Sequence, residues 1–169
     1  MIDETGNVVL FREVQRFRQL WVWLLILIVP ISCIISILDI VYLEDSGEIG
    51  SAENIIALVL LPVFGFGIPW LMYSTNLVTE VRTDGIYIRY FPFHRSFRKV
   101  SEGMVNYEAR KYHPLREYGG WGIRGMKRNR AYNVFGDIGL QLTYSNGDKL
   151  LIGTQKPDEL IAAIKSVSK

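Results

Sequence analysis

Two long apolar runs constrain this chain more than any other feature of its 169 residues. Residues 20–43 hold a single charged side chain, Asp39, and residues 55–73 hold none. At about 1.5 Å of rise per residue, a helix of either length crosses a hydrocarbon core of about 30 Å. The sequence therefore predicts a helical hairpin with spans over 20–43 and 55–73. Only residues 77–169 remain for a sizeable domain outside the membrane, which excludes a large multidomain enzyme.

The net charge of +2 is distributed unevenly along the chain. Residues 39–53 contain five acids and no Lys or Arg, whereas residues 77–169 contain 16 basic and 9 acidic residues. Because Lys and Arg mark the cytoplasmic side of membrane spans, we predict that both termini are cytoplasmic and that residues 44–54 form a short external acidic loop. The predicted location is the cell membrane, crossed twice.

Aromatic residues support the same topology. Trp21 and Trp23 open the first run, and Trp70 and Tyr73 close the second. In an antiparallel hairpin all four lie at one interface, as tryptophan and tyrosine do in membrane proteins. The segment Gly65-Phe66-Gly67, in the second run, indicates close helix packing or local flexibility.

The N-terminal segment, residues 1–19, is amphipathic. Apolar residues recur in it at helical spacing, and arginines fall mostly between them. The apolar set is Leu10, Phe11, Val14, Phe17 and Trp21, and the arginines are Arg12, Arg16 and Arg18. Two interpretations stay open: an interfacial helix whose arginines meet lipid phosphates, or a cytoplasmic extension of the first membrane helix that packs on the following domain.

Residues 77–169 have the pattern of a cytoplasmic α+β domain. Alternating apolar and polar residues between turn signals predict about seven strands in a barrel or sandwich. A three-residue loop over residues 145–147 pairs Leu142 with Leu150 and Leu140 with Ile152, which keeps the apolar side chains on one face. That register requires Gly147 in the left-handed region.

One helix closes the domain. Pro157 at its first turn and two acids after it are typical of a helix N-terminus. Its apolar stripe is predicted to face the sheet and consists of Leu160, Ile161, Ile164 and Val167.

Several of these elements resemble those of prokaryotic membrane-anchored pleckstrin-homology-like (PH-like) proteins. The matching segments are Gly120-Trp121-Gly122-Ile123-Arg124, Gly139-Leu140-Gln141-Leu142 and Ile152-Gly153-Thr154-Gln155-Lys156-Pro157-Asp158-Glu159-Leu160. The N-terminal Phe11-Arg12-Glu13-Val14-Gln15-Arg16-Phe17-Arg18 resembles an uncharacterised two-span subfamily of that group. The resemblance implies a PH-like fold and no particular reaction.

The sequence offers little for catalysis. Its only histidines, His94 and His113, are separated by 18 residues and accompany no paired carboxylates or cysteine ligands. We therefore expect no enzyme activity, no cofactor and no metal site. We expect no nucleic acid ligand, because a basic domain tethered to a bilayer already has an anionic partner within reach.

A basic cluster is the main candidate for binding. Arg124, Lys127, Arg128 and Arg130 lie within seven positions, and each such charge near a membrane contributes about 1 kcal/mol of attraction to an anionic leaflet. The alternative is a solvated hairpin loop whose charges only aid solubility. Together with Arg12, Arg16 and Arg18, these residues are the predicted contacts for anionic lipid headgroups or a partner.

We thus predict a non-enzymatic, membrane-anchored binding or assembly module. Its expected partners are the lipid bilayer, anionic headgroups, and a membrane protein or a second copy of the chain. Two alternatives remain: a cryptic enzyme, and an ion-conducting or transporting oligomer built around Asp39. For Asp39 itself, the competing interpretation is a solvated carboxylate near the end of its helix.

Overall fold

The computed structural model describes residues 6–42, 51–126 and 128–167, which form two units. One unit is Arg18–Ser74. The other unit, here called the sheet domain, includes the chain up to Phe17 and from Thr75 onward. The helical unit is therefore inserted into the sequence of the sheet domain. The predicted external loop lies largely outside the described residues.

The helical unit consists of α1 (Leu20–Tyr42) and α2 (Ala52–Ser74), both long and apolar enough to cross a membrane. The rings of Trp23 and Tyr73 meet edge to face with centroids 6.4 Å apart. Since Trp23 is in the first turn of α1 and Tyr73 is near the end of α2, the predicted antiparallel pairing is confirmed. A Cβ atom placed on Gly65 would lie 3.0 Å from Cys33 Sγ, so glycine permits close packing here. A Cβ atom on Gly67 would meet no atom within 4 Å, so the predicted packing is confirmed at Gly65 only.

The first sheet has four antiparallel strands in chain order. They are β1 (Val9–Arg16), β2 (Asn76–Arg82), β3 (Gly85–Phe91) and β4 (Arg98–Lys99). Arg16 and Asn76, at the ends of β1 and β2 where the helical unit is inserted, are register partners.

The helical interpretation of the N-terminal segment is wrong for β1. Its burial alternates: Phe11, Glu13 and Gln15 are buried, while Arg12, Val14 and Arg16 are exposed or paired at the surface. Because Glu13 and Gln15 are polar and yet face inward, apolar and polar residues do not alternate along β1 as they do in an ordinary half-buried strand. Glu13 accepts hydrogen bonds from Thr154 Oγ1 at 2.6 Å and from the Gln155 backbone N–H at 2.7 Å, and Gln15 donates to the Gly153 carbonyl at 2.6 Å.

The second sheet has the order β5-β8-β9-β7-β6. Its strands are β5 (Met104–Lys111), β6 (Gly122–Met126), β7 (Asn129–Asn133), β8 (Ile138–Tyr144) and β9 (Lys149–Gly153). The pair β7–β9 is parallel and the others are antiparallel. The predicted hairpin register is confirmed: Leu140 faces Ile152, Leu142 faces Leu150, and Gly147 has a φ of +83°.

The described part of the chain thus contains nine strands rather than about seven, because β1 was interpreted as helical and the two-residue β4 was not distinguished from β5. No described ladder joins the two sheets, so they do not form a closed barrel. Their facing sides enclose the main core, including Leu77, Ile88 and Leu140.

Two helices complete the domain, α3 (Pro114–Tyr118) and α4 (Pro157–Val167). As predicted, Leu160 and Ile164 of α4 are buried in the core, with Ile161 and Val167 packed at its margin.

Candidate functional site

The predicted basic cluster is divided by the fold. Arg130 faces a cleft in the sheet domain. The Nε atom of Arg124 instead donates to the Trp121 carbonyl at 2.9 Å, and Arg128 is exposed at the turn between β6 and β7. Lys127 lies outside the described residues. Arg124 and Arg130 therefore have different surroundings.

The arginines near the N-terminus have a different setting. Arg12 and Arg16 are exposed on alternate positions of β1 and therefore share its outer face. Arg12 Nε lies 3.4 Å from Glu80 Oε1. Arg18 is exposed and precedes α1 by two residues.

The cleft that Arg130 faces lies between the two sheets and has a volume of about 520 Å³. Apolar parts of Ile88, Tyr132 and Leu150 line it, together with polar residues at its rim. The charged members are Arg98, Lys99, Arg130, Lys149, Glu102 and Asp148. This volume is within the range of small-molecule sites, about 300–1,000 Å³.

Strand pairing explains which cations face the cleft. Arg98 pairs with Ile88, and Arg130 lies beside Leu150 in the parallel β7–β9 ladder. Ile88 and Leu150 both belong to the main core, so the two arginines are on the core side of their sheets. Lys99, one residue on, also lines the cleft, and its Nζ atom lies 3.6 Å from the Asp84 carboxylate.

Two aromatic residues shape the cleft. The Tyr144 hydroxyl donates to the Val100 carbonyl at 2.8 Å, which links the second sheet to the segment after β4. Burial raises the pKa of Tyr144 to about 12, so this hydroxyl stays protonated at neutral pH. Tyr132 contacts the His94 ring edge to face, with centroids 5.8 Å apart.

His94 also reports on the cleft electrostatics. Burial, followed by the positive charges of Arg98 and Arg130, lowers its pKa below the usual value. The guanidinium groups of Arg98 and Arg130, carried by different sheets, thus act on the same imidazole.

The remaining sequence candidates lie elsewhere. His113 precedes α3, and its backbone N–H donates to Glu117 Oε1 at 2.7 Å. Asp39 is exposed, one turn before the end of α1. Within residues 6–42, 51–126 and 128–167, no group of three His, Cys, Asp or Glu side chains is arranged to hold a metal ion.

Sequence reasoning identified Arg130 but missed Arg98, Lys149 and the position of His94. The predicted hairpin register already placed Leu150 on the core side of β9. Its register partner on β7 is Arg130, so pairing of these two strands indicates which side Arg130 faces. Arg98 gave no such signal, because a strand of two residues has no recognisable periodicity.

Comparison with known proteins gives one result. A family of unknown function (DUF6141) matches residues 2–169. No curated protein and no solved structure matches the chain. Because the match covers nearly the whole sequence, this chain belongs to the DUF6141 family.

Proposed function

We propose that this protein is a non-enzymatic, membrane-anchored binding module whose sheet domain contacts anionic lipid headgroups. In this proposal α1 and α2 cross the cell membrane, and both termini are cytoplasmic. The observation that carries it is the outward, exposed pair Arg12 and Arg16 on β1, which ends four residues before α1 begins.

The chain connectivity supports the lipid contact. Trp21 at the start of α1 and Trp70 and Tyr73 near the end of α2 are residues that favour the membrane interface. Arg16 and Arg18 precede Trp21 by five and three residues. Arginine binds phosphate through paired N–H donors, so lipid headgroups are chemically suited partners for both side chains.

We also propose that the sheet domain is PH-like. Two mainly antiparallel sheets and a C-terminal helix packed on their shared core support this assignment. The parallel β7–β9 pair departs from a simple antiparallel meander. The proposal concerns the fold and carries no ligand with it.

Lipid contact can be tested in the full chain. Val14, which is 46% exposed between the two arginines, is replaced by Cys in a Cys33→Ser background and labelled with a fluorophore. The protein is placed in nanodiscs of neutral lipid or of neutral lipid mixed with phosphatidylglycerol, each with a quencher on the headgroup. We expect stronger quenching in the anionic discs, weakening as salt screens the charges.

Two double variants complete the experiment. Arg12→Gln with Arg16→Gln removes about 2 kcal/mol of attraction, so the ratio of docked to undocked protein falls by roughly 30-fold. Arg116→Gln with Lys165→Gln removes the same charge from exposed positions elsewhere and leaves the quenching unchanged. Equal quenching in both lipids, or an equal response of both double variants, contradicts the lipid contact and favours a protein partner for this face.

A further inference from the structure

The cleft between the two sheets has the features of an anion site that is separate from the outer face of β1. Arg98 comes from the first sheet and Arg130 from the second, and both line the same cleft. Within the described part of the chain, neither guanidinium forms an ion pair with a carboxylate. Four cations and two carboxylates line the cleft, so its charge is net positive. Positive charges that converge repel each other, and a bound anion lowers that cost.

Three further observations point to the same place. The His94 ring contacts Tyr132, which lines the cleft, and the charges of Arg98 and Arg130 both lower the His94 pKa. Lys99 and Lys149 add two more cations to the lining of the cleft. Of the two acids there, Asp148 is engaged at the β8–β9 turn, where its carboxylate accepts a hydrogen bond from Asn146 Nδ2 at 2.9 Å.

We infer that this cleft binds a phosphate-bearing ligand, with Arg98 and Arg130 holding the phosphate group from opposite sides. Each guanidinium offers a planar pair of donors that matches two phosphate oxygens. A phosphate carrying nearly two negative charges balances the two arginines better than a single carboxylate does. The ligand is a soluble phosphate compound or the headgroup of a lipid, and the experiment below separates the two sources.

The test uses the full chain in nanodiscs of neutral lipid, with its histidines labelled with ¹³C for NMR. The chain has two histidines, and His113 serves as the internal control because it lies beside α3. Inorganic pyrophosphate is titrated in, and in a second arm the discs contain phosphatidic acid with no pyrophosphate. We expect a saturable shift of the His94 signal and a rise in its pKa in at least one arm, with the His113 signal unchanged.

The rise follows from the charges around His94. Arg98 and Arg130 disfavour its protonated form, and a bound anion offsets them. A response to pyrophosphate identifies a soluble ligand, whereas a response only to phosphatidic acid identifies a lipid headgroup. No saturable change of His94 in either arm overturns the proposal.

Matched substitutions test the assignment to the two arginines. Arg98→Gln and Arg130→Gln are each expected to weaken binding by at least about tenfold, the typical effect of losing a hydrogen bond to a charged group. Arg95→Gln and Arg128→Gln remove exposed charges on the same two segments and leave the affinity unchanged. Because Arg98 and Arg95 are both exposed, neither change threatens folding. If a control variant weakens ligand binding as much as its matched variant, the ligand is held by general charge attraction, and the proposed site at Arg98 and Arg130 is overturned.

Discussion

In the paired helices α1 and α2, the residues buried between them are Pro30, Cys33 and Gly65, whereas the sheet domain buries a large set of leucine, isoleucine and aromatic side chains. Most of the apolar surface of the helices remains exposed, for example 61% of Ile35 and 60% of Val59. Water does not tolerate a continuous apolar surface of that kind. The comparison teaches that the two regions differ in what covers their apolar residues: the sheet domain covers its own, whereas the helices leave theirs exposed over a length sufficient to span a membrane.

Polar groups follow the same division. In the helices, Ser32 Oγ donates to the Ile28 carbonyl at 2.9 Å and Ser74 Oγ to the Trp70 carbonyl at 2.8 Å, four residues earlier in each case. Such local bonds satisfy a hydroxyl within its own helix, without a distant partner. In the sheet domain, buried Glu13 is satisfied by residues more than 140 positions away. Hydrogen bonds within one helix need no partner outside the inserted segment. Hydrogen bonds between Glu13 and residues 154 and 155 join the two parts of the sheet domain that the insertion separates in sequence.

The comparison predicts that the helical unit can be removed and β1 cannot. Replacing residues 18–74 by Asn-Gly joins Phe17 to Thr75 through a two-residue turn, next to the paired residues Arg16 and Asn76. We expect a folded protein that is soluble without detergent. Sedimentation velocity and the dispersion of amide NMR signals measure this outcome.

The decisive control is a chain that begins at Asn76. It lacks β1, so β2 has an open edge and the core loses Phe11. Thr154 and Gln155 also lose their acceptor on Glu13. We expect this chain to aggregate or remain unfolded. If it folds as well as the excised protein, then β1 is not an integral strand of the domain.

The next effect concerns the core of the sheet domain. Ile164→Asp places an unpaired charge at a site that is 2% exposed, and we expect a loss of roughly 3–5 kcal/mol in the free energy of unfolding. Ala162→Asp puts the same charge on the exposed side of α4 and serves as the control. Thermal unfolding of the excised protein, or of the full chain in detergent by near-ultraviolet circular dichroism, compares them. Equal melting temperatures contradict the packing of α4.

These two regions also differ in how well their sequence predicts them. Apolar length alone defines the helices, and the hairpin register and α4 follow from local signals such as Gly147 and Pro157. The strand β1 was mistaken for a helix because Glu13 and Gln15 face inward, and their partners, Thr154 and Gly153, become neighbours only in the fold. Local patterns cannot indicate satisfaction by residues so distant in sequence.

The candidate site shows the same limit. The basic cluster singled out Arg130 together with Arg124, which the fold directs to the Trp121 carbonyl. The companion of Arg130 in the cleft is Arg98, 32 positions earlier and on the other sheet. Arg98 and Arg130 become neighbours only because the two sheets pack face to face, and the local sequence of β4 or β7 does not indicate that packing.

Packing within the helical unit gives a test in the membrane. A Cβ atom on residue 65 would lie 3.0 Å from Cys33 Cβ, about 0.5 Å below the separation found in disulfides, about 3.5–4.5 Å, so a small outward shift of the helices brings the two thiols into bonding range. Gly65→Cys should therefore form a disulfide with Cys33 when an oxidant is added to the protein in lipid. Gly67→Cys, which has no atom within 4 Å, should not. Alkylation followed by intact-mass measurement counts the free thiols, and equal cross-linking of both variants contradicts the described packing.

The smallest expected effect is a pH dependence at α3. The Glu117 carboxylate accepts a hydrogen bond from Arg110 Nη2 at 2.8 Å and another from the His113 backbone N–H. The Arg110 bond, followed by the backbone bond, lowers the pKa of Glu117 below its usual value. The unfolded chain therefore binds a proton more readily than the folded protein. The stabilisation is present above the unfolded pKa of about 4.3 and is lost as pH falls through the lower folded pKa. Because the side chain is 34% exposed, solvent limits this contribution to below about 1 kcal/mol.

We expect Glu117→Gln to lower stability at pH 7 and to match the parent in strong acid, while Glu108→Gln, an exposed change on β5, provides the comparison. Urea unfolding of the excised protein across this pH range measures the difference, and a constant gap between parent and Glu117→Gln contradicts a role for the ionised carboxylate.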